Sequence, residues 1–181
     1  MPSRLKIIKN INWDKLEMFN EINIIADVII LDIKNGVRTG TDIRGNQFQE
    51  LASSTLFAKK LNNQPTTPLY GTGLMHKVFK NPSATKSSLI ARVSVPKSKN
   101  RTNIGMYHNE GTDPYVITPK KAKLLSFPTR GGRVHTKRVN HPGLPKREWF
   151  GISEVALDKI RTELGYRLAE KLRQRRQVIT K

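Results

Sequence analysis

The chain has 181 residues, of which 33 are Lys or Arg and 14 are Asp or Glu, and its formal net charge at pH 7 is +19. This length fits one domain, or one domain with arms, and no stretch approaches the ~18 uninterrupted apolar residues of a membrane-spanning helix. Because the chain contains no cysteine, disulfide scaffolds, thiolate metal sites and cysteine nucleophiles are excluded.

The N-terminal part of the chain is predicted to be mainly helical. Residues 1–11 are expected to form an arm, and apolar residues at spacings of three and four predict a helix over 12–35. Asn12 can cap its start, and Asn35-Gly36 is its expected end because both residues tolerate a left-handed backbone. The β-branched residues within this stretch leave a buried strand as the alternative. The next predicted segments are a loop over 36–47, a short helix over 48–61 and a surface loop over 62–68.

The middle of the chain has the composition of short strands. The predicted strands are 88–95, 115–118, 124–129 and 133–139. Gly131-Gly132 indicates a hairpin turn between the last two, and the prolines and glycine of 140–147 indicate a turn or extended crossover.

The clearest predicted helix is 153–176, with Ser153 as its cap. The order of elements predicts an α+β fold in which an N-terminal helix and a long C-terminal helix pack on a small, mostly antiparallel β-sheet. We expect a single domain over 12–176 and a C-terminal tail over 177–181.

The positive charge is concentrated in the middle of the chain. Residues 1–50 are neutral, whereas residues 51–96 contain six basic residues and no acid, and residues 97–147 carry a net charge of +10. A field of this size favours contact with a polyanion. The alternative is a solvated surface that keeps the protein soluble.

Residues for catalysis are scarce. His108 and His141 suggest a nuclease, but only Glu110, Asp113 and Glu148 are acidic between residues 51 and 150, and a Mg²⁺ site usually needs one or two carboxylates in addition to substrate oxygens. No catalytic residue, cofactor site or metal site is therefore expected.

Four segments occur in an order that is typical of one known family. They are a glycine-bearing loop with Asp42 and Gly45 that leads into Phe48, Leu51, Thr55 and Lys59; residues 68–75; residues 107–112; and residues 141–153. This order resembles the tailed-bacteriophage virion morphogenesis family, which includes the tail completion and head–tail joining (neck) proteins.

The resemblance implies a structural virion protein with an α+β fold and neither catalysis nor a cofactor. It implies a homo-oligomeric ring, expected to be a hexamer, between the head connector and the tail tube or its terminator. Such a ring is assembled in the host cytoplasm, is not membrane-bound, and can hold DNA nonspecifically in its lumen. The subfamily stays open between tail completion, head closure and tail terminator.

Two groups of residues are candidates for contacts with partners. Seven basic residues without an intervening acid are predicted to belong to a hairpin or loop over 119–140 that faces DNA or an acidic neighbouring protein: Lys120, Lys121, Lys123, Arg130, Arg133, Lys137 and Arg138. The candidate interface residues are Tyr107, Glu110, Gly111, Trp149 and Phe150. Residues 107–112 are expected to form a strand end and a turn, and the favoured alternative for Trp149 and Phe150 is an aromatic pair that anchors the last helix to the sheet.

Two other functions compete with this hypothesis. The first is a nonspecific basic nucleic-acid-binding protein, which would bind DNA as a monomer with a steep salt dependence. The second is a nuclease that depends on His108 or His141.

Overall fold

The computed structural model describes residues 17–96 and 103–179, with the side chains of the last helix described up to Gln174. The expected arm over 1–11 and the expected cap Asn12 lie outside these ranges.

Four helices and six short strands make up the described chain. The helices are α1 (Phe19–Thr39), α2 (Ser53–Leu61), α3 (Ile104–Glu110) and α4 (Glu154–Ile179). The strands are β1 (Phe79–Lys80), β2 (Val93–Ser94), β3 (Tyr115–Ile117), β4 (Leu125–Thr129), β5 (Gly132–Thr136) and β6 (Val139–His141). The α+β fold class predicted from the sequence is confirmed. The strands form three separate antiparallel ladders, β1–β2, β3–β6 and β4–β5, and not one continuous sheet.

Helix α1 is longer than predicted at its C-terminal end. The expected stop at Asn35-Gly36 is wrong, because the helix continues to Thr39 and is ended by Gly40, which has a left-handed backbone with φ of 79°. The intervening Val37 is 0% exposed. Burial of this side chain outweighs the ~1 kcal/mol that a glycine costs within a helix, so the helix passes through Gly36.

The first and last helices pack against each other and are joined by polar contacts at both ends. Lys171 donates from Nζ to Glu21 Oε2 (3.0 Å), and the Glu21 carboxylate is buried. Near the start of α4, Ser153 donates from its hydroxyl to Asp32 Oδ1 (2.8 Å) and accepts from Ala156 N (3.1 Å). The predicted capping role of Ser153 is therefore confirmed.

Three predicted segments are shorter than expected. Helix α2 begins at Ser53, five residues after the predicted start at 48. Of the predicted strand 88–95, only Val93–Ser94 forms a strand, paired with β1. Beyond it the pairing becomes irregular, because Arg92 O accepts from Asn81 N (2.8 Å) while Arg92 N donates to Pro82 O (3.0 Å). The predicted strand 133–139 is interrupted, because Thr136 Oγ1 donates to Arg138 O (2.9 Å) and turns the chain between β5 and β6.

The β4–β5 hairpin is formed by neighbouring residues, whereas the central core joins segments that are distant in sequence. The pair Thr129↔Gly132 closes the hairpin around Arg130-Gly131, so the turn lies one residue before the predicted Gly131-Gly132. The buried core cluster combines residues from α1, from the segments that follow it and from the segment before α4: Ile33, Val37, Phe48, Met75, Val78 and Trp149.

Within the described ranges, no helix combines the length and the hydrophobicity that crossing a lipid bilayer requires.

Candidate functional site

Residues 143–150 lie along helix α3 and are bonded to it at several points. Thr112 and Leu144 exchange two backbone hydrogen bonds (3.0 and 3.2 Å), and Arg147 N donates to His108 O (2.8 Å). Phe150 N donates to Asn109 Oδ1 (3.1 Å). We call residues 104–112, which are α3 and the two residues after it, together with residues 143–150 the α3 unit. It brings together two segments that are more than thirty residues apart in the sequence, and it contains all five candidate interface residues.

Within the segment 107–112, residues 107–110 are helical and Gly111 and Thr112 follow the end of α3, so the expectation of a strand end and a turn was wrong. Asn103 caps α3 by accepting from Met106 N at 3.1 Å, and residues 143–150 then hold this seven-residue helix in place. Gly111 ends it with φ of 79°, and a Cβ at this position would lie 2.9 Å from Leu144 O. Gly111 is therefore needed for close backbone packing within the α3 unit.

Trp149 belongs to the core and not to the surface. Its side chain is 3% exposed, its indole Nε1 donates to Gly105 O (3.0 Å), and a Cβ on Gly105 would lie 2.9 Å from its ring. Trp149 therefore anchors α3. The sequence analysis favoured a different contact, in which Trp149 and Phe150 anchor the last helix to the sheet. Phe150 packs edge-on against Trp149 with ring centroids 5.5 Å apart and is 36% exposed, so only Phe150 can contact a partner.

The outer face of the α3 unit is apolar with an acidic border. Met106 and Tyr107 are exposed, and Glu110 and Asp113 are also exposed and make no ion pair within the described ranges. Between α3 and β2 lies a groove of about 360 Å³, whose apolar lining comes from Val93, Val95, Met106 and Phe150, with Glu110 at its edge. We call the exposed residues Met106, Tyr107, Glu110, Asp113 and Phe150 the α3 surface.

Beneath this surface lies a buried cation. Arg147 is 5% exposed, and its Nη2 donates to Gln49 O (3.1 Å). Arg147 Nε and His108 Nδ1 are buried without a hydrogen-bond partner among the described residues. Burial, followed by the charge of Arg147, lowers the pKa of His108, and burial lowers the pKa of Arg147. Arg147 thus ties residues 143–150 to the segment after α1, and its charge adds to the effect of burial on the pKa of His108.

The second histidine of the nuclease hypothesis is held in a structural contact. His141 accepts from Gly143 N through Nδ1 (3.1 Å) and stacks on Tyr115 with ring centroids 4.7 Å apart. Among the described residues, no group of three or more His, Asp or Glu side chains could hold a metal ion. The contacts of His141 therefore support the turn between β6 and the α3 unit.

The seven basic candidates are all exposed but do not all lie in one hairpin. Arg130 and Arg133 are in the β4–β5 hairpin, three lysines precede β4, and Lys137 and Arg138 lie in the turn before β6. Arg133 donates to Ser126 Oγ (3.1 Å) and Arg138 to Asn140 Oδ1 (3.2 Å). None of the seven forms an ion pair with a described acid. We call residues 119–140 the basic segment.

The basic segment is positioned by helix α2. A groove of about 190 Å³ between them is lined by Phe57 of α2 and by Phe127, Pro128 and Arg130 of the hairpin. In β4, Leu125, Phe127 and Thr129 are half-buried, and the residues between them are exposed. The hairpin therefore has an inner face toward α2 and an outer face that carries charge.

Two basic side chains hold backbone segments in place through contacts that the sequence analysis did not predict. Lys59 donates from Nζ to three carbonyl oxygens of the following loop, those of Pro65 (2.8 Å), Thr67 (2.7 Å) and Tyr70 (2.9 Å), and partial burial lowers its pKa. Arg147 acts in a similar way on Gln49. The acceptors are backbone carbonyls, six to eleven residues from Lys59 and 98 residues from Arg147, and no residue pattern indicates such contacts.

The described part of the chain exposes more large apolar side chains than it buries. Ten hydrophobic residues are buried, and fifteen large ones are exposed, including Leu31, Ile90, Val116, Val155 and Tyr166. Exposed apolar residues are normal when scattered singly, but contiguous groups such as that of the α3 surface mark interaction sites.

Comparison of the chain with protein-family models, with curated proteins and with solved structures found no match.

Proposed function

We propose that this protein is a structural subunit of a tailed-bacteriophage neck, which forms a ring around the DNA channel between the head connector and the tail tube. The observation that carries the proposal is the exposed apolar surface: among the described residues, fifteen large hydrophobic residues are exposed and ten hydrophobic residues are buried. Such a subunit gains stability when copies or neighbours cover that surface.

The basic segment supports a channel function. Of the thirteen described acids, six are in ion pairs within the chain, and none of these pairs involves the seven basic residues of the segment. Their charge is left for an external polyanion, and DNA in the lumen of a ring fits this requirement. Phosphate contact without base readout lets DNA pass, because it does not depend on sequence.

The arrangement of the motifs also supports the proposal. Residues 107–112 and 141–153 carry two of the four segments on which the family resemblance rests, and they pack together in the α3 unit. The ring, its expected hexameric order, its head-connector and tail-tube neighbours and its place in the virion are all part of this proposal.

The test is the oligomeric state of the full chain. Light scattering after gel filtration and negative-stain microscopy should show closed rings that bind purified tail tubes or head connectors at physiological salt. A chain that stays monomeric at all concentrations and binds neither neighbour would contradict the proposal.

The second candidate function is nonspecific nucleic-acid binding by a single subunit. It is favoured by the seven exposed cations that lack ion pairs. Fluorescence anisotropy with a short DNA duplex separates the two functions: a monomeric binder loses roughly 10³-fold or more in affinity between about 50 and 200 mM salt if it neutralises six or more phosphates, whereas a neck subunit forms rings and binds short duplexes weakly at physiological salt.

A further inference from the structure

We propose that the α3 surface of one copy binds the basic segment of the next copy. This inference rests on the proposed ring and names the contact that closes it. The occupant of the groove between α3 and β2 is then a second copy of this chain.

The groove requires an occupant that is both apolar and positively charged. Its apolar lining comes from Val93, Val95, Met106 and Phe150, and its polar lining includes Ser94, Asn103, Asn109 and the carboxylate-bearing Glu110. Asp113 follows only three residues after Glu110, a distance of at most ~11 Å along an extended chain. DNA is excluded as the occupant, because its phosphates would be repelled by these two carboxylates.

The two carboxylates are available, unlike most acids of the chain. Glu110 and Asp113 are exposed and make no ion pair with any described residue. Six other acids are held in ion pairs within the chain: Glu17, Glu21, Asp27, Glu148, Asp158 and Glu163. Asp32 and Asp42 are occupied by hydrogen bonds.

The basic segment has the matching chemistry. Leu124 and Val134 are exposed apolar side chains, and they lie directly beside Lys123 and Arg133 in the sequence. Both surfaces therefore combine exposed apolar side chains with charge, and the charges are of opposite sign. Opposite charges fix which surfaces meet, and apolar contact supplies most of the binding free energy.

The contact joins two different surfaces, so it repeats head to tail. Such a heterologous contact generates a ring when the rotation between neighbours closes. Two of the seven positive charges are matched by Glu110 and Asp113, and the other five remain for DNA. The two roles predicted for the basic segment, contact with a protein and contact with DNA, are then compatible.

Charge reversal in the full chain tests the contact. The first variant carries Glu110→Lys and Asp113→Lys, the second carries Lys123→Glu and Arg133→Glu, and the third carries all four changes. Glu50→Lys with Glu170→Lys is the matched control, since these exposed acids lie outside the α3 surface and give the same change of net charge as the first variant. Circular dichroism and thermal melts confirm that each variant folds.

We expect the first two variants to associate at least roughly tenfold more weakly than the unchanged chain, while the control forms rings normally. The four-change variant should recover rings, because its reversed surfaces are again complementary. Mixing the first two variants should also restore rings, with the two chains in alternation.

Several results would overturn the inference. Rings that form equally well in the first two variants would refute this contact while leaving the proposed neck function in place. Rings that persist in the first variant but no longer bind head connectors or tail tubes would assign the α3 surface to another neck protein. Loss of rings in the control as well would show that only net charge matters. An unchanged chain that never forms rings would refute the proposed function together with the inference.

Discussion

Replacing Trp149 by alanine removes the side chain that joins helix α3 to the core. Trp149 is 3% exposed and bonds to Gly105 O. A buried aromatic ring removes ~150–250 Å² from water, which at ~25 cal/mol per Å² corresponds to about 4–6 kcal/mol. Part of this is retained by the alanine methyl group, so we expect a loss of about 3–5 kcal/mol in the free energy of unfolding. A domain of this size has about 5–15 kcal/mol in total.

Urea unfolding followed by far-ultraviolet circular dichroism measures this loss, and the melting temperature should fall by roughly 10 °C. Phe150→Ala is the matched control, because the neighbouring ring is partly exposed; it should cost about 1 kcal/mol or less in stability and weaken ring formation. A loss below about 1 kcal/mol for Trp149→Ala, or equal losses for both variants, would refute the separation of this pair into a core residue and a surface residue.

Three further predictions concern stability. Glu21→Gln replaces the buried carboxylate that accepts from the lysine of α4 and should cost about 1.5–3 kcal/mol, whereas Asp27→Asn, whose carboxylate side chain is 63% exposed, should cost at most about 1 kcal/mol; urea titrations of the two variants compare them. The pKa of His108 is held below its ordinary value of 6.5, first by burial and then by the adjacent guanidinium, so the unfolded chain binds a proton where the folded chain does not. The contribution of neutral His108 to stability is fully present above pH 6.5 and is lost as the pH falls toward the folded pKa. Urea titrations on either side of pH 6.5 should show that the free energy of unfolding decreases with falling pH, and His108→Gln should reduce this pH dependence. An unchanged pH dependence in this variant would contradict the buried position of His108. Gly143 has φ of 87°, and an added Cβ would overlap backbone atoms, so Gly143→Ala should lower stability by about 2–4 kcal/mol; Gly45→Ala, which also has positive φ but open space around it, should lose only about 1–2 kcal/mol in the same thermal melts.

The parts of the fold that the sequence predicted well are those with local causes. Helix α4 has apolar residues at helical spacing and a capping serine, and the observed helix Glu154–Ile179 contains all but the first residue of the predicted range. The β4–β5 hairpin was likewise indicated by two glycines between strand-forming residues, although its turn is Arg130-Gly131 and Gly132 already pairs within β5. These signals act within a few residues, so a sequence displays them directly.

The errors arise where distant packing decides. Gly36 is a good local stop signal, but burial of Val37 carries α1 past it. Helix α3 was missed because seven residues are too few for a periodic pattern, and its stability comes from residues 143–150. Asn103 was the one local sign of its start.

The candidate site was predicted in part. The sequence indicated which residues form the α3 unit but not that Trp149 points inward and Phe150 outward, because the direction of a side chain on an irregular segment depends on its tertiary neighbours. The basic residues are exposed, which their charge made predictable. Their distribution over three short segments could not be foreseen, since Thr136 breaks the strand through its own side-chain bond.

The three two-stranded ladders have a consequence for how copies of the chain behave before assembly. Each described strand pairs with one neighbour only, so every ladder offers open edges with unpaired N–H and C=O groups. Open edges are templates for uncontrolled pairing between chains, and lysine or arginine side chains along them oppose this. The charge of Arg130, Arg133 and Lys137 lies beside such edges. The cations for which we propose a contact with DNA therefore also oppose aggregation of the chain, and neutralising them should lower the concentration at which it precipitates.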